Sequence, residues 1–464
     1  MENKKSIISE IISPFLDLFK TSNAQKIVNG TYLLEGVVYF GMLTLMVMYF
    51  NKYIGLDDIQ ASHMVGFLTA GITLSMLFLG AAVDWIGVRK SLIIALLFSL
   101  AGRLIMVLAP QAQGLGGMWS LKYILAALGM LGIIIGYGVY QPACYAAIRL
   151  FASKEQAPMG YAMLYALMNL GGFLPGIISA PIRNLGDSLD KGNGVVWVYW
   201  LYTILTFISF AIIMFFLTNK AIKQAECKNS EQEDEEDPIS KLNLKEKIKY
   251  YIDNFPFRDL RFLFFIFILI PVQTLFAHNW LTIPMYCERA FQGSAVSSNF
   301  EFFSNINPIL IFVLTPIVTS LTSKANVYKM MVYGTLVMAL PTFFLALGPS
   351  IYTLMAYLLL MTIGEAMWQP RFLQLIAEIA PKGMVGIYMG IGQFPWFLTK
   401  VITSMYSGWF LMKYCPAGVA PSAMNTQFMW FIYALIAVIS PIGLILAGKW
   451  MKSGFIGSVK DASP

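Results

Sequence analysis

The sequence predicts an all-α membrane protein with twelve transmembrane helices arranged as two pseudo-symmetric six-helix bundles. Three observations predict it. Of the 464 residues, 58% are hydrophobic and only 12% charged, and the mean hydropathy of +0.66 lies outside the composition of soluble proteins. Twelve apolar runs approach the about 20 residues that a spanning helix needs, six on each side of a polar break. Two distant segments also read alike. Gly136-x-x-x-Tyr140-Gln141-Pro142 is followed by Ala157-Pro158, and Gly364-x-x-x-Trp368-Gln369-Pro370 by Ala380-Pro381. The chain therefore reads as an internal duplication, with one asymmetry, because Ala143 of the first copy is matched by Arg371 of the second.

The first six spans are expected near 28–50, 61–83, 91–109, 121–147, 159–181 and 195–217, and the second six near 261–285, 300–322, 328–347, 351–376, 384–411 and 427–448. With the N-terminus inside, 23 of the 32 Lys and Arg residues fall in cytosolic segments, and only Lys52, Arg183, Lys191, Arg289 and Lys413 fall outside. The positive-inside rule thus predicts that both termini are cytosolic in a multi-pass plasma membrane, as in a bacterial inner membrane. The same bias accounts for the net charge of +7, and no clustered basic face suggests nucleic acid. The expected divisions are a cytosolic segment 1–26, a first bundle 27–218, a cytosolic linker 219–260, a second bundle 261–450 and a tail 451–464.

No cleavable signal peptide is expected, since no small-residue cleavage site precedes the first span. Residues 7–20 read either as a surface amphipathic helix or as a disordered tail. Residues 239–252 alternate Leu and Ile with Lys, as a helix on the anionic inner leaflet or a soluble one would.

Four cysteines give no metal or redox pattern. Cys144 falls in a span and Cys227 in the linker, while Cys287 and Cys415 fall in outer loops, where independent thiols are expected. His63 and His278 are far apart, so no histidine-based metal or proton relay is expected, and no cofactor.

Charges inside the spans cost roughly 2.5 to 3.5 kcal/mol each on insertion scales, so they face cavities or partners. Those in or near spans are Glu35, Arg103, Glu365, Arg371 and Lys400. Glu365 and Arg371, six residues apart, stand about 120° and about 9 Å apart on one helix, so each needs a partner elsewhere. Similar depth pairs Arg371 with Glu35, and the competing reading has Arg371 snorkelling to the headgroups. Helical spacing gathers Tyr137, Gln141 and Tyr145 on one face, Tyr161, Tyr165 and Asn169 on another, and Gln393, Trp396 and Lys400 on a third. These stripes read as cavity walls rather than isolated interhelical hydrogen bonds. The surplus of basic groups favours an anionic solute.

These residues resemble the major facilitator superfamily and, within it, the proton-dependent oligopeptide transporter family. Gly80-x-x-x-Asp84-x-x-Gly87-Val88-Arg89-Lys90 is similar to the superfamily's structural loop motif. Tyr165-x-x-x-Asn169-x-Gly171, Asn307-Pro308 with Pro316, and Gly364-Glu365 with Pro370 resemble the oligopeptide family's spans five, eight and ten. The departures are as informative. Where that family carries Glu-x-x-Glu-Arg, this chain has Tyr32-Leu33-Leu34-Glu35-Gly36, with Tyr39 retained. Its span-four Lys is Gln141, and its span-seven acid falls near Val272-Gln273.

The resemblance implies a transporter and no enzyme, working by alternating access on a small polar, carboxylate-bearing or peptide-like solute. Glu35 and Glu365 are the candidates for proton coupling or gating, with Arg371 added by its predicted depth. Tyr39, Asn169, Asn307, Glu365 and Trp396 are its candidates for substrate binding, to which the helix faces described above add Gln141, Tyr165 and Lys400. The expected partners are that solute, protons and the lipid bilayer, with the chain acting as a monomer. Alternatives are a facilitator of organic anions or nucleosides without proton coupling, a non-transporting sensor, or a membrane enzyme, for which no convergent nucleophile and base are present.

Overall fold

A computed structural model describes residues 22–79, 82–151, 157–190, 192–226, 249–250, 252–253, 255–322, 325–379, 388, 391–392 and 394–459. Every regular element among these is helical. In chain order the long helices are α1 Asn23–Tyr49, α2 Asp58–Leu79, α3 Val88–Leu108, α4 Leu121–Phe151, α5 Ala157–Leu189 and α6 Gly194–Phe216. There follow α7 Ile270–Leu281, α8 Asn307–Leu321, α9 Val327–Ala339, α10 Ile351–Ile379, α11 Phe394–Tyr414 and α12 Thr426–Val459.

Ten helical segments among the described residues are long and apolar enough to cross a membrane. The other two expected spans are α2 and α11, of 22 and 21 residues. At 1.5 Å per residue each reaches about 30 Å, the thickness of a hydrocarbon core. Two spans are less regular than their hydropathy suggests. The seventh consists of Leu260–Phe267, α7 and Ile283–Ala290 in succession, and the eighth is broken between Phe300–Asn305 and α8. Pro271, Pro284 and Pro308 sit at the starts of the later pieces, where a missing N–H costs nothing.

The repeated motif has a mirrored packing role. A Cβ at Gly136 of α4 would lie 2.7 Å from the carbonyl oxygen of Ala95 on α3, and one at Gly364 of α10 would lie 2.7 Å from that of Gly334 on α9. Each glycine lets its helix close on the preceding span. The aromatic residues one turn later, Tyr140 and Trp368, are both buried, and Pro142 and Pro370 follow inside their helices.

The helices form two compact units. The first comprises Met1–Gln232, His278–Pro316 and Val401–Asn425, and the second Glu233–Ala277, Ile317–Lys400 and Thr426–Pro464. Unit 1 thus holds α1–α6 together with the ends of the seventh, eighth and eleventh spans that are predicted to face outward. Polar bonds explain this grouping. Asp58 in the first turn of α2 receives both terminal nitrogens of Arg289 at 2.7 Å, and Arg289 also donates to the Cys415 carbonyl at 3.0 Å. Arg183 of α5 is paired with Glu301 and donates to the Ser298 carbonyl at 2.9 Å. Thr44 of α1 and Asn305 exchange hydrogen bonds at 3.0–3.1 Å.

Cys287 and Cys415 are free, as expected, but both are buried. Burial pushes the Cys415 thiol up to about 12, so it offers no reactive thiolate at neutral pH. Cys227, residues 7–20 and most of 239–252 lie outside the described residues.

Candidate functional site

The first candidate site is built around Glu35, halfway along α1. The helix can approach α5 here because Gly36 packs on Gly171, where a Cβ would meet the opposing Cα at 3.0–3.4 Å. The position after Glu35, where the resembled family carries a basic residue, is Gly36 in this chain. Positive charge reaches Glu35 from α3 instead. Arg103 Nη1 lies 2.8 Å from Glu35 Oε2, and the two residues are 1% and 2% exposed. Arg103 also donates to Thr206 of α6 and, at 2.8 Å, to the Tyr137 hydroxyl of α4. Tyr137 in turn donates within 3.0–3.1 Å of the Glu35 carbonyl and carboxylate oxygens. Four helices thus converge on one carboxylate. Its second oxygen, Oε1, is buried and accepts no hydrogen bond among the described residues.

This arrangement corrects the pairing of Glu35 with Arg371. Arg371 is buried on α10 and donates from Nη2 to the Thr322 carbonyl at 2.7 Å, just past the C-terminus of α8. A cation there is favoured by the negative end of the helix dipole.

Near Glu35, the Tyr39 ring packs on Tyr137 with centroids 5.3 Å apart. Asn169 is buried on α5 and donates to the Tyr165 carbonyl at 2.9 Å, while the Tyr165 side chain is exposed. Gln141 on α4 is half-buried and Asn307, opening α8, is buried. All of these belong to unit 1.

The remaining candidates belong to unit 2. Glu365 is 5% exposed on α10. The Trp396 ring of α11 packs 4.9 Å from that of Phe276 on α7, and Thr399 donates to the buried Gln273, the residue at the expected span-seven acid. Lys400, one turn beyond Trp396, is half-buried and has no ion-pair partner among the described residues. The cluster named for its helix face is only partly visible, since Gln393 lies outside the described residues, as does the Tyr161 side chain.

In the loop motif, Gly87 has φ +82°, which L side chains rarely adopt, and it opens α3. Arg89 donates to the Leu217 and Met214 carbonyls at 2.5 and 3.1 Å, capping α6, and Lys90 is exposed. Gly80 and the Asp84 side chain lie outside the described residues.

Sequence reasoning noticed Arg103 but left it out of the site, and it missed Asp58, Arg183, Arg289 and Glu301. A usable signal existed. Among the five expected outer basic residues, Lys52, Arg183 and Arg289 are paired, with Glu288, Glu301 and Asp58.

Comparison with known proteins gives the wider setting. No curated protein matches the sequence. The fold is similar to a solved peptide transporter of the POT family in complex with sulfate, with TM-score 0.66 and 16% identity over 93% of this chain and 95% of that one. A POT family transporter in complex with 5-aminolevulinic acid gives 0.64 and 15% identity over 93% and 97%. A D-xylose-proton symporter gives 0.66 and 16% over 90% and 96%. The family model described as Major Facilitator Superfamily matches residues 29–404, most of both bundles. The chain therefore belongs to the Major Facilitator Superfamily and is a transporter rather than an enzyme.

Proposed function

We propose that this transporter moves a small, carboxylate-bearing or peptide-like solute by proton-coupled alternating access, in a bacterial inner membrane with both termini cytosolic. The observation that carries this reading is the buried Glu35 carboxylate, with one oxygen held by Arg103 and Tyr137 and the other without a hydrogen bond among the described residues. A proton on Oε1 would find an open acceptor and would weaken the grip of Arg103 on the group. Reconstituted protein tests it. An inward proton gradient should drive accumulation in the wild type and not in Glu35→Gln, while counterflow exchange survives the substitution. Gradient-driven accumulation by Glu35→Gln would remove Glu35 from the coupling.

Lys400 supplies the anionic preference. An ammonium with no ion-pair partner among the described residues, one helical turn from Trp396, suits a carboxylate, and fold neighbours carrying sulfate or 5-aminolevulinic acid are consistent with anion-bearing solutes. A thermal-shift screen against di- and tripeptides and organic acids would identify a ligand, because binding raises apparent stability. Lys400→Ala should then weaken that ligand roughly ten- to hundredfold, the loss of a charge-assisted hydrogen bond. Lys400→Arg should weaken it less. A folded Lys400→Ala protein that still prefers the free acid over its ester by the wild-type margin would exclude the anchor.

A facilitator of organic anions or nucleosides without proton coupling is the second reading. What favours it is that the Arg103 ion pair already neutralises Glu35.

A further inference from the structure

Outside the candidate site, unit 2 carries a cavity of about 420 Å³ between α9 and α12. Its walls are Val332 and Leu336 from α9 and Leu444 and Ile445 from α12, and Lys329 and Lys449 stand at its mouth. On α9, residues 329, 332 and 336 follow a helical stripe, and on α12 residues 445 and 449 are one turn apart. Both lysines are exposed, and neither has an ion-pair partner among the described residues. No acidic residue lines the cavity. Its shape is maintained by the Tyr328 hydroxyl, which donates to the Leu444 carbonyl at 2.6 Å, and by Gly448, where a Cβ would touch only the Tyr328 ring at 3.7 Å. Beside it, the Arg261 guanidinium lies over the Trp450 ring at 5.9 Å, and Trp450 is 42% exposed. Trp with a basic neighbour marks the level of the headgroups.

We infer that this groove is a binding site for an anionic phospholipid. The phosphate would sit between Lys329 and Lys449, and an acyl chain would follow Val332, Tyr333, Leu336 and Ile445 into the bilayer. Two uncompensated ammonium groups above an aliphatic wall match a ligand with both a negative head and an apolar tail. A soluble phosphate would leave that wall unused, and a zwitterionic lipid would leave the pair of cations uncompensated. Assignment of the groove to the cytosolic leaflet rests on the orientation proposed above, but the ligand class does not.

Native mass spectrometry of the purified full chain, titrated with phosphatidylglycerol and with phosphatidylcholine, tests the inference without any transport readout. Phosphatidylglycerol should bind the wild type more tightly. The Lys329→Gln/Lys449→Gln variant should lose about thirtyfold of that affinity, at about fivefold for each basic group near a membrane surface. Gly448→Leu keeps both lysines but fills the groove, and it should lose phosphatidylglycerol binding too. Equal binding of the two lipids, wild-type phosphatidylglycerol affinity in either variant, or displacement of the lipid by millimolar glycerol 3-phosphate would overturn the assignment.

Discussion

Arg103 and Glu35 meet because they stand at matching depth. Glu35 is 12 residues into α1 and Arg103 15 residues into α3, about 18 and 22 Å along helices that run the same way in an up-and-down bundle. Arg371 is 20 residues into α10, about 30 Å along a helix that runs the opposite way. The depth argument, applied to every basic residue rather than to one, selects Arg103 from the sequence alone. The Gly36–Gly171 contact was not legible, because a glycine in an apolar run does not reveal which helix it touches. The pair makes a stability prediction. Removing one partner of a buried ion pair leaves a charge without compensation and costs about 3 to 5 kcal/mol. Glu35→Gln should therefore lower the melting temperature in detergent, and Glu35→Gln/Arg103→Met should recover part of the loss. A double variant less stable than Glu35→Gln would show that Arg103 is held mainly by Thr206 and Tyr137.

At the level of elements, the duplicated motif carried more structure than composition did. Gly136 and Gly364 were legible as equivalent positions, and their equivalence is physical, since each admits a carbonyl of the preceding span to the same distance. Span positions were legible from hydropathy, whereas the breaks in the seventh and eighth spans were not, because proline at a helix start leaves hydropathy unchanged. A prediction follows from the close approach. At Gly364 a methyl group would be driven into the Met338 backbone as well as the Gly334 carbonyl, and overpacking of this kind costs about 1 to 3 kcal/mol. Gly364→Ala and Gly136→Ala should both destabilise. Gly30, inside α1 with nothing within 4 Å of its Cβ position, is the control. Gly30→Ala should be neutral or stabilise by about 0.5 to 1 kcal/mol through helix propensity. Equal melting temperatures for all three variants would show that the helix pairs separate at no cost.

For the whole molecule, unit 1 joins the first six helices to parts of the seventh, eighth and eleventh spans through few but well-buried bonds. The positive-inside count pointed to these residues without identifying them, because it recorded how scarce outer basic residues are and not what they face. Under the alternating-access mechanism proposed above, such bonds break and re-form, and their strength would set the balance between closed and open forms of the ends they join. A change of about 1.4 kcal/mol shifts that balance tenfold, less than the cost of orphaning either charge of Asp58–Arg289. Thr44 reports on the balance, since it is 3% exposed and bonded to Asn305. In an otherwise wild-type chain, Thr44→Cys should react slowly with an impermeant maleimide added from outside. Adding Arg289→Ala should speed labelling at least tenfold. Asp58→Asn/Arg289→Gln, which leaves no orphaned charge, should label at an intermediate rate. Unchanged labelling with Arg289→Ala would mean that Arg183–Glu301 and Thr44–Asn305 hold the outer ends together by themselves, and the Asp58 pair would lose its place as a gate.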